Sequence, residues 1–168
     1  MSMTQEKEKI TLGILRGEDM QALRELVTDG EIKKTYMLPD FDTPEAAEKL
    51  CLRLMALSRE EGHFVRGIYL DGALIGFLND VEQKDGRVEV GYVIHPRCWR
   101  RGYATKALQC AIGQLFAQGF FAVRAGHFET NAASGRVMEK AGMKKIPDTD
   151  EVAYRGQTHR CIYYEITA

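Results

Sequence analysis

Two short Asp-Gly turns divide the middle of the chain into three apolar runs and restrict how those runs can pair. HFVRGIYL (residues 63–70) and ALIGFLND (73–80) are joined by Asp71-Gly72, a pair that favours the type I′ hairpin turn. A second turn, at Asp85-Gly86, leads into RVEVGYVIH (87–95). Because turns this short connect antiparallel neighbours, the sequence predicts a three-stranded antiparallel meander.

A helical run and a fourth strand follow the meander. From about Gly102 to Gln118 the apolar residues recur at helical spacing, and Gly119 ends the run. FFAVRAGHF (120–128) is a mostly apolar run of strand type. A strand, a helix and a strand in succession imply a right-handed crossover that makes two strands parallel. The expected fold class is therefore α/β in the broad sense, an α+β mixed sheet with helices on its faces.

The remaining elements follow from apolar spacing and from helix start and stop signals. Thr43-Pro44 opens a helix with proline in the first turn, and Gly142 is a plausible C-cap. We expect strands at 10–16, 142–146 and 160–167, helices at 18–27, 44–59 and 131–141, and a polar loop at Pro147 to Glu151.

Chain length and charge exclude several classes of protein. The 168 residues suit one compact domain, so we expect a single domain over residues 1–168. The net charge of −1 gives no field that attracts nucleic acid or a membrane surface, and no apolar run approaches a membrane span. The first ten residues, MSMTQEKEKI, lack the apolar core of a signal peptide, so a cytoplasmic location is expected. The cysteines have no C-x-x-C spacing, which favours reduced, buried thiols over a disulfide framework or a metal site: they are Cys51, Cys98, Cys110 and Cys161.

A basic cluster stands where the third strand of the meander passes into the long helix. CWRRGYAT (98–105), together with Arg97, places three cations within five positions. A helix N-terminus carries partial positive charge and free amides that bind anions, and Gly102 would let the backbone approach a ligand. The patterns G-x-x-x-x-G-K-[ST] and G-x-G-x-x-G are both missing. The cluster therefore indicates either an anion site of another type or a solvated basic turn.

Two motifs decide between these alternatives. VGYVIHPRCWRRGYATKAL, followed by ETNAASGRVMEKAGM, resembles the GNAT superfamily of acyl-CoA-dependent N-acyltransferases, and most of all its RimJ/RimL-like branch of ribosomal-protein N-terminal acetyltransferases. The pyrophosphate loop of that family, [QR]-x-x-G-x-[GA], corresponds to Trp99–Ala104, with Trp at the first place and Arg100 where Gly is frequent. The second motif, N-x-x-S-x-x-x-x-x-K-x-G, is matched by Asn131, Ser134, Lys140 and Gly142.

The resemblance implies a mostly antiparallel sheet with one central parallel strand pair and helices on both faces. It also implies acetyl-CoA as the donor, a primary amine as the acceptor and no metal. Because no cysteine lies in a recognisable nucleophile context, direct transfer in a ternary complex is favoured over a covalent acyl-enzyme. The implied cofactor-binding residues are Arg100, Arg101, Gly102, Tyr103, Ala104 and Thr105 for the pyrophosphate, and Val93, Ile94, His95 and Asn131 for the pantetheine arm.

Glu89 is the candidate general base, because related enzymes place a glutamate in this strand. The acceptor amine must be neutral to attack, and an α-amino group with a pKa of about 7.7 to 8.0 meets this condition more easily than a lysine near 10.4. An N-terminal α-amine is therefore the best single guess for the acceptor. Strand alternation puts Glu89 on one face with Val93 and His95. The alternative is an exposed glutamate that pairs with Arg66 or Arg87.

Ser134 is the candidate partner of the departing thiolate. Many superfamily members use a tyrosine seven residues after the asparagine to protonate this sulfur, and here that place is Met138. Ser134 shares a helix face with Met138 and is expected to bond the sulfur or an ordered water. The alternative is that Ser134 caps its own helical turn, and the same holds for Asn131.

The sequence leaves alternatives open for several other residues and for the function. His95 and His127 are either acceptor-side groups or ordinary strand-end histidines, and Tyr36–Pro39 either shapes the acceptor pocket or packs in the core. Alternative functions are a small-molecule (polyamine, amino sugar or antibiotic) N-acetyltransferase and a non-catalytic acyl-CoA sensor. The balanced charge argues against a nucleic-acid-binding domain. A homodimer is possible, but the sequence leaves the oligomeric state open.

Overall fold

Residues 8–168 are described by the structure, a computed structural model. The predicted absence of a signal peptide concerns a segment that falls mostly outside these residues. Within them, seven strands form one sheet in the order β1-β2-β3-β4-β5-β7-β6. The strands are β1 Ile10–Gly13, β2 Val65–Leu70, β3 Ala73–Lys84, β4 Arg87–Ile94, β5 Ala122–Phe128, β6 Lys144–Tyr154 and β7 Gln157–Thr167. The α-helices are α1 Met20–Thr28, α2 Gly30–Lys33, α3 Pro44–Arg59, α4 Tyr103–Ala117 and α5 Ala132–Lys140.

The predicted meander is confirmed. β2, β3 and β4 pair antiparallel in succession. Asp71 and Gly72 both have positive φ angles, of 50° and 88°, as a type I′ turn requires of its two central residues. The Asp85-Gly86 turn repeats this conformation with φ angles of 52° and 79°.

The predicted crossover is also confirmed. β4 and β5 pair parallel at the centre of the sheet, with α4 between them in the chain. The other neighbouring strands within residues 8–168 pair antiparallel. The mixed sheet with one central parallel pair is therefore the observed architecture.

Helices cover both faces of the sheet and enclose two hydrophobic cores. α4 and α5 pack on one face, where Val90 and Ile94 of β4 point. α1 and α3 pack on the other face, where Val93 of β4 points. Successive side chains of β4 therefore alternate between the two cores, as a two-sided strand requires.

The predicted polar loop at Pro147 to Glu151 is wrong, because these residues lie inside β6. The register moves from Lys145 opposite Tyr164 to Thr149 opposite Ile162, so β6 carries extra residues in a bulge. Proline has no N–H to donate and is tolerated in sheets at edges and bulges, and β6 is an edge strand. A further turn at Arg155-Gly156, with φ angles of 53° and 73°, joins β6 to β7.

None of the helices within residues 8–168 combines the length and the apolar character that a bilayer crossing would require.

Candidate active site

The parallel strands β4 and β5 separate halfway along their length. Their register runs from Arg87 opposite Ala122 to Val90 opposite Ala125 and stops there. β4 continues to Ile94 with partners on β3 only. The carboxyl ends of two parallel strands therefore diverge, which is where ligands bind in many α/β sheets. A cavity of about 920 Å³ lies at this opening and is lined from both strands.

The basic loop is fixed to the end of β4 by its tryptophan. The Trp99 indole Nε1 donates to the Ile94 carbonyl oxygen over 2.7 Å. Arg100 then takes a left-handed conformation with φ of 64°, which explains why glycine is frequent at this place of the motif. Gly102, with φ of 80°, is the N-cap of α4.

The first turn of α4 presents open amides to the cavity. The N–H of Lys106 makes the first intrahelical bond, to the Gly102 carbonyl over 3.2 Å. The N–H groups of the three preceding residues, Tyr103 to Thr105, are the donors that a helix start leaves without an intrahelical partner. A Cβ added at Gly102 would meet no atom within 4 Å, so the space beside these amides is free for a ligand.

Three positive side chains line the cavity. Arg100, Arg136 and Lys140 line it together with the first turn of α4. Arg101 is exposed and lies outside the residues that line the cavity. Open amides, a close backbone approach and three cations together fit a diphosphate, which is the anion that a coenzyme A molecule would bring.

The predicted pantetheine residues occupy different positions. Val93, Ile94 and Asn131 line the cavity. His95 does not, because its N–H donates to the Ile75 carbonyl over 2.7 Å and its Nδ1 accepts from the N–H of Arg97 over 3.2 Å. Asn131 is the N-cap of α5 but makes no capping hydrogen bond with its side chain, so its amide is free for other contacts.

Glu89 is half-buried in β4 and lines the cavity on the face that carries α1 and α3. Burial and the charge of Glu82 raise the pKa of Glu89, Arg124 opposes this rise, and Asp150 adds a smaller increase. A carboxylate whose pKa is raised is a stronger base once it has lost its proton.

The alternative ion pair of Glu89 is not formed. Arg66 donates to the carbonyl oxygens of Val65 and Ser58, over 2.9 and 3.3 Å. The Arg87 guanidinium lies over the ring of Phe121, 5.2 Å from its centroid.

On the opposite face of β4, Tyr92 meets the first turn of α5. The Tyr92 hydroxyl lies 2.8 Å from Ser134 Oγ and 3.3 Å from the Ser134 carbonyl oxygen. Burial raises the pKa of Tyr92 to about 12, so the phenol keeps its proton. Met138, at the place of the usual tyrosine, is fully buried in the core. Sequence reasoning did not single out Tyr92, because its contact with Ser134 joins residues far apart in the chain.

Two tyrosine rings cover glycines beside the opening. A Cβ on Gly91 would lie 3.0 Å from the Tyr36 ring, and one on Gly126 would lie 2.7 Å from the Tyr163 ring. The Tyr36 hydroxyl donates to Asn79 Oδ1 over 2.5 Å. Glycines inside the β4 and β5 runs were the available sequence signal for these close approaches.

The loop between α2 and α3 reaches the cavity through Tyr36 and Met37, while Leu38 is buried. Tyr154 of β6 anchors this loop: its hydroxyl lies 2.8 Å from the Lys33 carbonyl oxygen and 3.0 Å from that of Leu38. The loop and the β6–β7 hairpin therefore form one wall of the opening.

His127 also lines the cavity, from the end of β5. Its Nδ1 lies 2.7 Å from the Phe128 carbonyl oxygen, and Nε2 lies 2.9 Å from the position a Cβ on Gly135 would take. His127 is thus held between its own strand and α5.

Comparison with known proteins places these features in a family. The family model described as Acetyltransferase (GNAT) domain matches residues 9–144. The uncharacterised N-acetyltransferase YoaA of Bacillus subtilis is 28% identical over 158 residues, which cover 91% of this chain and 89% of that protein.

Solved structures share the fold. RimL, a ribosomal L7/L12 alpha-N-protein acetyltransferase, superposes with a TM-score of 0.82 at 15% identity, covering 95% of this chain and 90% of that one. The spermidine N-acetyltransferase from Vibrio cholerae, in complex with CoA and spermine, superposes with a TM-score of 0.80 at 15% identity, covering 94% and 95%.

Proposed function

This chain belongs to the GNAT acetyltransferase family and is an acyl-CoA-dependent N-acetyltransferase, and on that premise we propose that it acetylates the N-terminal α-amine of a peptide or protein by direct transfer from acetyl-CoA. We place it in the RimJ/RimL-like branch of the family, on the strength of its two motifs. We also propose that residues 1–168 form a single acetyltransferase domain.

The observation that carries this proposal is the arrangement around the gap between β4 and β5. Glu89 stands on one face of β4, and Tyr92 with Ser134 stands on the other. An amine that enters from the Glu89 side and a thioester that lies along the Ser134 side would meet in the gap. Holding both reactants in this geometry is a large contribution that a direct-transfer enzyme can make.

The donor would lie along the gap from the basic loop to Ser134. Residues Arg100 to Thr105 bind the pyrophosphate in this proposal, with Arg101 acting through its backbone and its exposed charge. Because the His95 N–H points to β3, alternation turns the backbone groups of Ile94 toward the gap. We therefore assign the Ile94 N–H to the thioester carbonyl, the oxyanion-stabilising role. Val93 and Asn131 flank the pantetheine arm, and His95 supports it from the turn after β4.

Glu89 removes the proton from the attacking amine, directly or through a water molecule. An α-ammonium with a pKa of about 7.7 to 8.0 is partly neutral at pH 7, so a carboxylate suffices. Because the pKa of Glu89 is raised, the difference between the pKa of this base and the pKa of the acceptor amine becomes smaller. Ser134 is the second catalytic residue in this proposal, as the group that contacts the departing sulfur.

A small polyamine is the second candidate acceptor. Glu82 and Asp150 add negative potential beside Glu89. A second positive charge on the acceptor would complement these carboxylates, as in spermidine or an amino sugar. The same residues would also attract the ammonium group of a peptide N-terminus.

One experiment separates these functions. Acetyl-CoA binding is measured first, and thiol release is then followed with peptides, polyamines and amino sugars. Each peptide is tested with a free and with a blocked N-terminus. Release that requires the free α-amine is the expected result. Release with polyamines or amino sugars alone would favour the second candidate, binding without release across the panel would indicate a sensor, and no binding would overturn the proposal.

We also propose a cytoplasmic location, because the cysteines are reduced. All four cysteines are free thiols, and three of them are buried. Reduced thiols are typical of a reducing compartment. The possible homodimer stays a prediction, to be checked by the mass of the protein in solution.

A further inference from the structure

The hydroxyl of Tyr92 is a polar group of a half-buried side chain that lines the cavity at the reaction gap. Tyr92 lies two positions after Val90, the last residue of β4 that pairs with β5, and it lines the opening between the two strands. The ring packs against the core under α4 and α5, which holds the hydroxyl in place. That hydroxyl lies 2.8 Å from Ser134 Oγ.

The hydrogen-bonding capacity of Ser134 makes this contact important. A serine hydroxyl has one proton to donate and two lone pairs to accept with. Near the start of a helix such a hydroxyl readily turns its proton to a nearby backbone carbonyl. Whether the proton of Ser134 is available to a ligand therefore depends on which partner occupies its oxygen.

We propose that Tyr92 is a positioning residue for the departing sulfur: its hydroxyl donates to Ser134 Oγ, and the Ser134 proton is thereby aimed at the thiolate of coenzyme A. This inference rests on the proposed function, because it assumes that the thioester lies on the Ser134 side of the gap. Two hydroxyls in series polarise one another, so the outer one becomes a stronger donor than an isolated serine. The pair would take over the role of the tyrosine that many superfamily members carry at the place of Met138.

The step balances without a strong acid. The amine nitrogen forms a bond to the carbonyl carbon, the carbon–sulfur bond breaks, and its electron pair stays on sulfur. The proton lost by the amine goes to Glu89, directly or through water. The sulfur accepts a hydrogen bond from Ser134 and takes its own proton from solvent after it leaves.

Hydrogen bonding, not proton transfer, is the role that fits Tyr92. A phenol with a pKa of about 12 stays protonated beside a thiolate whose conjugate thiol has a pKa near 8.5. It can therefore donate a hydrogen bond throughout the working pH range. Stabilising the developing negative charge in this way assists departure of the sulfur.

The test measures the thiol pKa of bound coenzyme A, from the ultraviolet absorbance of its thiolate as the pH is raised. Removing a hydrogen bond to a charged group raises that pKa by about one unit. We expect Ser134→Ala and Tyr92→Phe each to have this effect. In the Ser134→Ala background, Tyr92→Phe should add nothing, because Tyr92 acts through Ser134. A thiol pKa that Tyr92→Phe leaves unchanged, or changes equally in both backgrounds, would overturn the proposal.

Two further variants guard against an effect on folding. Tyr164→Phe removes a buried phenol that donates to the exposed Glu139 over 2.9 Å, and it should leave the thiol pKa unchanged. A fluorinated tyrosine at residue 92 keeps the ring and strengthens the donor, so it should lower the thiol pKa. A shift in the opposite direction would contradict the proposal even if Tyr92→Phe failed to fold.

The measurement needs no acceptor, so it is independent of the proposed substrate. If the thiol pKa follows the expected pattern while no amine is acetylated, Tyr92 keeps its role and the acceptor assignment fails. If amines are acetylated but Tyr92→Phe leaves the thiol pKa of bound coenzyme A unchanged, the proposed function stands and the inference fails. With an acceptor in hand, kcat should fall about tenfold in Tyr92→Phe while the KM for acetyl-CoA stays unchanged.

Discussion

Glu82 on β3 lies directly opposite Glu89 on β4, so two carboxylates face each other across neighbouring strands beside the gap in the sheet. The charge of Glu82 raises the pKa of Glu89, and burial of Glu89 adds the largest part of the rise. Arg124 would lower that pKa, but its guanidinium also donates to Glu165 over 3.2 Å. The fold thus holds Glu89 in a state that binds a proton more readily than an ordinary glutamate.

Replacing Glu82 with glutamine should move the acidic limb of the pH–rate profile to lower pH. The base must be deprotonated to act, so kcat/KM rises as the pH passes upward through the pKa of Glu89. Glu82→Gln removes one cause of the raised pKa, and Glu89 then ionises at lower pH. The profile of kcat/KM against pH measures the change.

Glu48→Gln is the matched control, since it removes one exposed carboxylate from α3, an element that contributes no residue to the cavity. Its profile should coincide with that of the wild type. An acidic limb that stays in place in Glu82→Gln would mean that Glu89 is not the group titrating there.

Replacing Glu89 itself should separate binding from chemistry. Glu89→Gln keeps the shape of the side chain but cannot accept the amine proton, so kcat should fall by about 100-fold or more. The dissociation constant of acetyl-CoA should stay near the wild-type value, because the basic loop and Ser134 are untouched. Turnover at the wild-type rate would exclude Glu89 as the base.

Sequence predicted the elements whose signals are local. The Asp71-Gly72 turn and the spacing of apolar residues in α4 each specify their structure within a few residues. The strand predicted at 142–146 was ended too early, because Pro147 normally interrupts a strand, and only the pairing with β7 reveals that a bulge absorbs it. The turn between these strands was also not predicted, because Arg155 adopts a left-handed backbone conformation that arginine rarely takes.

The residues of the candidate site likewise fall into those indicated by local sequence and those placed by long-range contacts. Ser134 was proposed because it stands at a fixed place in a motif, and Glu89 because related enzymes place a glutamate in this strand. Tyr92 was not singled out because its hydroxyl contacts Ser134, which lies 42 positions away in the chain. The rings of Tyr36 and Tyr163 were likewise placed by long-range packing against glycines of other strands.

Gly102 should be needed for tight binding of acetyl-CoA, although a Cβ added there would meet no protein atom within 4 Å. Gly102→Asp would fill the open space beside the first turn of α4 and bring a negative charge to the pyrophosphate. We expect acetyl-CoA affinity to fall by at least about 100-fold, as loss of charge-assisted bonds and repulsion combine. Isothermal calorimetry provides the measurement.

Gly156→Asp controls for the cost of the backbone. Gly156 has a φ of 73° against 80° at Gly102, and a Cβ there also meets no atom within 4 Å. Both variants should lose a similar free energy of unfolding, about 1 kcal/mol. Equal affinities for acetyl-CoA in the two variants would contradict the assignment of the loop.

The side chain of Arg100 should lower the stability of the fold and raise the affinity for acetyl-CoA. Its left-handed conformation costs about 1 kcal/mol that glycine would not require, so Arg100→Gly should raise the free energy of unfolding by up to that amount. The same change removes one of three cations that line the cavity, the others being Arg136 and Lys140. Acetyl-CoA should therefore bind about tenfold more weakly at low salt, and the difference should shrink as salt is added.

Arg155→Gly makes the same backbone change in the β6–β7 turn, where φ is 53°. It also loses an exposed contact with Asp40 at 3.6 Å, which contributes little. It should raise stability as Arg100→Gly does and leave acetyl-CoA affinity unchanged. If Arg100→Gly also binds acetyl-CoA normally, the Arg100 side chain points to water and does not bind phosphate.

Tyr154 connects the β6–β7 hairpin to the loop between α2 and α3, and we expect this wall of the opening to contact the acceptor. Its hydroxyl lies within hydrogen-bonding distance of the carbonyl oxygens of Lys33, Tyr36 and Leu38. Tyr154→Phe removes this anchor and should lower the free energy of unfolding by about 1 to 2 kcal/mol. The loop that carries Tyr36 would then be held less firmly, so the KM of the acceptor should rise while the acetyl-CoA dissociation constant stays constant.

Steady-state kinetics with the acceptor varied measures the KM, and calorimetry measures the acetyl-CoA dissociation constant. Tyr164→Phe, which should change neither quantity, is the control. An equal loss of affinity for both substrates in Tyr154→Phe would show that the hairpin supports the whole cavity and not the acceptor wall alone.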